Sequence, residues 1–180
     1  MNAPSYKTAV VLIPDQIAQN RINEIRAVHD SSKINRWMPH VTLAYPFRSE
    51  EQFDDDLYQK LQTIADSVDA FTCNHGEIGS FRRAGIVYSN PSNRGPIKAI
   101  MKAIVRTFPR YNNQKRGGRF TPHMTIGSKV DDVDMVIAEV QGQLDEVNNH
   151  YTGFHLIARG DDTPFRIVRT FYFGGNVPQE

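Results

Sequence analysis

Apolar residues run through this chain in a strand–helix–strand–helix–strand order that is written twice, over about residues 8–81 and again over about 84–175. Residues 8–13 (TAVVLI) form a short, β-branched run that predicts a buried strand. Pro14 and Asp15 suit the first turn of a helix that carries Ala18, Ile22, Ile25 and Val28 at helical spacing. A polar connection over 31–36 leads to a strand-like run over 40–47. Ser49 and Gln52 spell a capping box before an amphipathic helix with Phe53, Leu57, Leu61, Ile64 and Val68 on one face. Residues 71–81 predict an irregular strand, with Gly76 and Gly79 inside it.

The second half repeats the order. Residues 85–89 predict a strand, and Pro96 opens a helix with Ile97, Ile100, Met101, Ile104 and Phe108. A polar stretch over 111–119 precedes a strand around 123–127, and Asp131 or Asp132 caps the next helix. Strand-like runs at about 151–158 and 165–173 close the chain, joined by an Arg-Gly-Asp-Asp turn at 159–162. Two copies of one plan, joined near 82–84, predict one α+β unit over 1–180, either a single large domain or two small lobes sharing a core.

The remaining arithmetic excludes more than it selects. At 180 residues the chain can bury a sizeable core without a disulfide or metal staple. One cysteine, Cys73, rules out a disulfide framework and any Cys-based zinc cluster. Twenty-one Lys and Arg against twenty Asp and Glu argue against a general duplex-wrapping protein. No apolar run approaches the roughly 20 residues that cross a bilayer, and no signal core opens the chain. The expectation is a soluble monomer, cytoplasmic or nuclear, with no membrane partner.

Chemistry is concentrated in one string used twice. The strand between the two helices of each half carries Pro39-His40-Val41-Thr42-Leu43-Ala44 or Pro122-His123-Met124-Thr125-Ile126-Gly127. Six His and ten Thr predict about one third of a His-x-Thr by chance. Two copies in matching context fall well below roughly one in a thousand. Alternating side chains put His40 with Thr42, and His123 with Thr125, on one strand face. If the halves pack as lobes, two imidazoles and two hydroxyls converge. One imidazole can then act as base and the other as acid while the hydroxyls donate to phosphate oxygens. That equipment suits attack on a phosphodiester. No His-x-x-x-His or clustered carboxylate spacing supplies a metal site, and no cofactor is expected.

With these strings the chain resembles the 2H phosphoesterases, named for two His-x-Ser/Thr motifs. Within them it is similar to the 2′-5′ RNA ligase-like and cyclic-phosphodiesterase branch, most of all over 36–47 (RWMPHVTLAYPF) and 120–127 (FTPHMTIG). The resemblance implies a bilobal fold, two antiparallel sheets flanking a central groove with helices outside. It also implies metal-independent cleavage of 2′,3′-cyclic phosphates or 2′-5′ linked nucleotides and RNA. Some relatives carry Arg just after the second motif; here Ser128 and Lys129 stand there.

On this basis His123 is expected as the base, His40 as the acid, and Thr42 and Thr125 as phosphate holders. Ser128 is a further substrate contact. Lys115, Arg116 and Arg119 form a basic, Gly-rich loop that can embrace a flanking phosphate. Tyr45, Phe47 and Phe120 flank the motifs and can stack a base, although packing is the expected job of at least one. His29, His75, His150 and His155 lack a partner motif and are expected to be surface or satisfied polar residues. The rival functions are a hydrolase of cyclic oligonucleotide signals and a non-catalytic RNA- or nucleotide-binding module of the same fold.

Overall fold

Five consecutive residues without a polar face, Thr8–Leu12, form β1, and a computed structural model, which describes residues 7–111 and 121–175, buries all five. Burial on both faces needs a strand on each side and cover above and below, and β1 has all four. Its neighbours in an antiparallel sheet are β2 (Val41–Ala44) and β8 (Gly153–Ala158), and β9 (Arg166–Tyr172) extends the sheet past β8. Val10 and Leu12 point into the main core, while Ala9 and Val11 meet Ile157, Phe165, Trp37 and Met38 on the opposite face.

A second antiparallel sheet comprises β4 (Glu77–Phe81), β5 (Ile86–Asn90) and β6 (Met124–Ser128) in that order. A two-stranded ribbon pairs β3 (Phe71–Asn74) with β7 (Asn148–Tyr151). The helices cross between the halves of the sequence. Helix α1 (Gln16–His29), from the first half, packs on β6, and α4 (Arg94–Thr107), from the second, packs on β2. Helix α3 (Asp55–Asp66) lies against α4 and β9, and α5 (Val133–Val140) against β4 and β5. The two sequence repeats therefore interlock, each supplying elements to both sheets.

Several local expectations are corrected. Asp15 is the N-cap of α1 rather than a first-turn residue, its carboxylate accepting from the Ala18 amide at 2.9 Å. Val28 stands 73 % exposed, because the buried stripe of α1 runs through Ala18, Ile22, Ile25 and Arg26 instead. Residues 31–34, expected as connection, form a single helical turn, α2 (Ser31–Ile34). The predicted capping box makes only a 3-10 turn over Glu50–Gln52; Asp54 caps α3, accepting from the Leu57 amide at 2.7 Å. Helix α4 begins at Arg94, two residues before Pro96, which a first turn tolerates because its amide would be unpaired there. Asp132 is the acid that caps α5, at 2.9 Å from the Met135 amide.

The run over 71–81 is two strands in different sheets. The chain changes sheet at His75 and Gly76, where a Cβ on Gly76 would lie 2.7 Å from Asp145 Cα. Between β4 and β5, Gly85 turns the chain at φ +59, a conformation that glycine adopts without strain.

Candidate active site

β2 and β6 are terminal strands of their sheets, and they approach each other at the middle of the molecule. Each begins just after a motif histidine. Val41 and Leu43 are buried with Thr42 half-exposed between them, and Met124, Thr125 and Ile126 repeat the pattern. Thr42 sits opposite Val11 of β1, and Thr125 opposite Tyr88 of β5, so each threonine borders an inner strand of its sheet. Among the described residues, no intramolecular hydrogen bond occupies either hydroxyl.

The two imidazoles are seated alike. His40 Nδ1 lies 2.7 Å from the Met38 carbonyl, and His123 Nδ1 lies 2.8 Å from the Thr121 carbonyl, in each case two residues upstream. A carbonyl only accepts, so Nδ1 carries the hydrogen and donates. Nε2 is then the nitrogen that takes up or releases a proton. One backbone hook, used twice, sets the same tautomer in both motifs.

The surroundings differ. The Trp37 indole stacks on His40, centroids 5.1 Å apart and planes 20° apart, and is itself packed on Phe165. His123 lies edge-on to Phe81 at 5.0 Å and beside Tyr88 at 5.3 Å. Gly79 admits this arrangement: the Tyr88 ring lies where a Cβ would stand, 2.6 Å away. Burial pushes the His40 pKa down to about 4; the Met38 carbonyl opposes that, and the charges of Arg26 and His123 add to it. Burial also lowers the His123 pKa, again opposed by its carbonyl. At pH 7 both rings are neutral in the unliganded protein.

A cavity of about 250 Å³ opens beside His40 and reaches Thr125, so residues of both motifs share one wall. Arg26, Asp30, Lys33 and Trp37 line the rest with neighbouring apolar atoms. Sequence reasoning missed these four. The signal was an Arg and an Asp at i, i+4 on a helix stripe otherwise occupied by Ile22 and Ile25.

Tyr45 is accessible: 40 % exposed, edge-on to Trp37 at 5.7 Å. Phe47 is a correction. It is fully buried and packs edge-on against Phe108 at 5.4 Å, so its ring has no face left for a base. Ser128 is another, since its hydroxyl donates to Asp30 Oδ1 and is spent inside the protein. Lys115, Arg116, Arg119 and Phe120 lie outside the described residues.

The remaining histidines have structural partners. His75 is buried between Ser89 and Tyr151, His155 bonds Thr170, His150 bonds Thr72, and His29 pairs with Glu139. Among the described residues, no three His, Cys, Asp or Glu side chains are grouped to hold a metal ion. None of the described helices is long and apolar enough to cross a membrane.

Two antiparallel sheets whose meeting edges each present a His-x-Thr pair define a 2H phosphoesterase fold. Comparison with known proteins agrees. The sequence profile of the 2′-5′ RNA ligase superfamily matches residues 13–163, and the chain belongs to that superfamily. A Bacillus cytotoxicus relative named "Putative phosphoesterase" is 26 % identical over 173 residues, covering 93 % of this chain and 97 % of its own. A Bacillus cereus relative of the same name is 28 % identical over 180 residues with the same coverage. Among solved structures, apo E. coli LigT superposes with a TM-score of 0.64 at 15 % identity, covering 92 % of this chain and 96 % of LigT. LigT complexed with 3′-AMP gives 0.62 at 16 % identity, covering 93 % and 97 %. At this identity the likeness to LigT is one of fold.

Proposed function

We propose that this protein is a phosphodiesterase that opens 2′,3′-cyclic phosphates or cleaves 2′-5′ linked nucleotides without a metal ion, using the two motif histidines as acid and base. The observation that carries the proposal is the matched seating of His40 and His123, each with Nδ1 held on the carbonyl two residues upstream, which sets the same tautomer in both rings. A protein that only bound nucleotides would have no use for two imidazoles held in one tautomer at facing strand edges. LigT has been crystallised with 3′-AMP, ATP and NADP+, which supports a nucleotide as ligand.

In this mechanism His123 Nε2 takes a proton from water; in the reverse direction the roles exchange, and His40 Nε2 takes the proton of the attacking hydroxyl. The oxygen attacks phosphorus, one P–O bond to the ribose breaks, and His40 Nε2 gives its proton to the departing oxygen. The Thr42 and Thr125 hydroxyls donate to the two non-bridging oxygens, where charge builds in the transition state. Neutral in the free protein, His40 is loaded with its proton as the anionic phosphate arrives, because a neighbouring negative charge favours the imidazolium. An acid with low proton affinity then gives that proton up readily. Tyr45, exposed and edge-on to the cavity-lining Trp37, offers a ring for the base.

The test is incubation with a panel of 2′,3′-cyclic nucleotides and of 2′-5′ and 3′-5′ oligonucleotides in EDTA, with products identified by mass and phosphate position. A single ring-opened or 2′-5′ cleaved product class is expected. Retention of every substrate, with RNA bound, would replace the enzyme by a binding module.

A further inference from the structure

Arg26 and Asp30 stand one turn apart at the end of α1, each only 3 % exposed. Burying two charges costs several kcal/mol per ion before their attraction returns anything, so such a pair is weak as a source of stability. Its contacts point elsewhere. Arg26 donates from Nε and Nη2 to Asp30 Oδ2, both at 3.3 Å, and from Nη1 to the Trp37 carbonyl at 2.9 Å. Trp37 immediately precedes Met38, whose carbonyl seats His40, and its indole stacks on that imidazole. The second Asp30 oxygen, Oδ1, accepts from the Ser128 hydroxyl at the end of β6, 98 residues away in sequence. β6 is the strand that carries Thr125 and follows His123. One ion pair therefore holds both the backbone that seats the first imidazole and the strand that presents the second motif.

We infer that Arg26 and Asp30 are positioning residues for the paired motifs: a charged strut, completed by Ser128, that sets the alignment of the two imidazoles and balances charge beside His40. The inference rests on the paired-histidine reading of the site. Four charged or titratable groups face His40: Arg26 and Asp30 from the end of α1, Lys33 from α2 across the shared cavity, and His123 from just before β6. Arg26 and His123 disfavour its protonation, and Asp30 favours it. Asp30 thus keeps the buried guanidinium from excluding the proton that the acid must carry.

Three variants separate alignment from charge. Ser128→Ala cuts the strut and changes no charge. Asp30→Asn removes the charge and keeps an amide that can hold the same neighbours. Arg26→Lys keeps the charge and loses the planar fork. Each is followed by NMR titration of the imidazoles, by kcat and KM on the best substrate, and by thermal melts. Ser128→Ala and Arg26→Lys are expected to lower kcat by roughly tenfold, the effect of misplacing a group by a fraction of an ångström, with KM nearly unchanged. Asp30→Asn is expected to shift the His40 titration downward, while Ser128→Ala leaves it in place. Lower melting temperatures alone, with kcat and both titrations at parental values, overturn the strut. A parent that turns over no substrate refutes the phosphodiesterase instead. In that event an unmoved His40 titration in Asp30→Asn still overturns the charge-balancing role, because the NMR measurement needs no turnover.

Discussion

Acid should unfold this protein in part through one histidine far from the motifs. His75 is wholly buried where the chain passes from the ribbon to the second sheet. The Ser89 hydroxyl donates its proton to the His75 carbonyl at 2.7 Å, so towards Nδ1, 3.2 Å away, it can only accept. Nδ1 therefore carries the hydrogen, and Nε2 accepts from the Tyr151 hydroxyl at 3.0 Å. A second ring proton would force the Tyr151 hydroxyl to turn and accept, and would place a charge in a wholly buried site. Burial accordingly lowers the His75 pKa to about 4 from 6.5. Because the folded value lies below the unfolded one, the unfolded chain takes up the proton first. The contribution to stability is complete above pH 6.5 and is lost as pH falls towards 4. At 1.36 kcal/mol per unit, the full loss is about 3 kcal/mol. For a domain of this size that is roughly 6–12 °C in Tm.

The assay is urea or thermal unfolding by circular dichroism at pH 7.5 and 4.5, for the parent and for His75→Gln. Glutamine can donate to Ser89 and accept from Tyr151, but it does not titrate. His40 and His155, also held near 4, act in both proteins and cancel in the comparison. The variant should therefore lose about 2.5 kcal/mol less than the parent between the two pH values, since pH 4.5 lies short of the full loss. Equal losses, within about 0.5 kcal/mol, would falsify the argument from the Ser89–His75–Tyr151 chain.

His40→Ala and His123→Ala should each lower turnover by roughly 10² to 10⁴, and the double variant by far less than the product, as single-turnover rates will show. Thr42→Val and Thr125→Val should each lower kcat by roughly 10- to 10³-fold with the melting temperature held, since each removes one donor to the phosphate. The pH profile of kcat/KM should be a bell with its maximum below pH 6.5, because both imidazoles are lowered in the free protein. The maximum of kcat should lie at higher pH, and coincident profiles would count against proton loading by the substrate. Phe47→Ala should destabilise by about 3–5 kcal/mol in chemical denaturation without a selective rise in KM, as a core ring rather than a base platform.

The paired His-x-Thr strings were legible because their signal is local. A His and a Thr two residues apart share a strand face wherever the strand packs, so His40, Thr42, His123 and Thr125 needed no knowledge of topology. The helices were legible for the same reason, through stripes such as Leu57, Leu61 and Ile64. What sequence left hidden depends on partners distant in the chain. Phe47 and Tyr45 flank one motif alike, and only the arrival of Phe108 makes one core and leaves the other exposed. Ser128 looked like a groove hydroxyl until α1 brought Asp30 to it. The split of 71–81 had two glycines as a cue, but the exchange of sheets depends on β7, which no apolar run announced: Asn148, Asn149 and His150 make up three of its four residues.

The pairing of β1 with β8 also sets a schedule for synthesis. β1 is made before both of its neighbours, and β2 can cover one of its edges soon afterwards. Its other edge has no partner until residues 153–158 appear, about 140 residues later. At roughly 5–20 residues per second that is a wait of about 7–30 s, in which an apolar strand edge stays open to other chains. Nascent forms truncated before residue 153 should therefore be chaperone-bound or aggregate, and folding should complete as one event when β8 slots in beside β1.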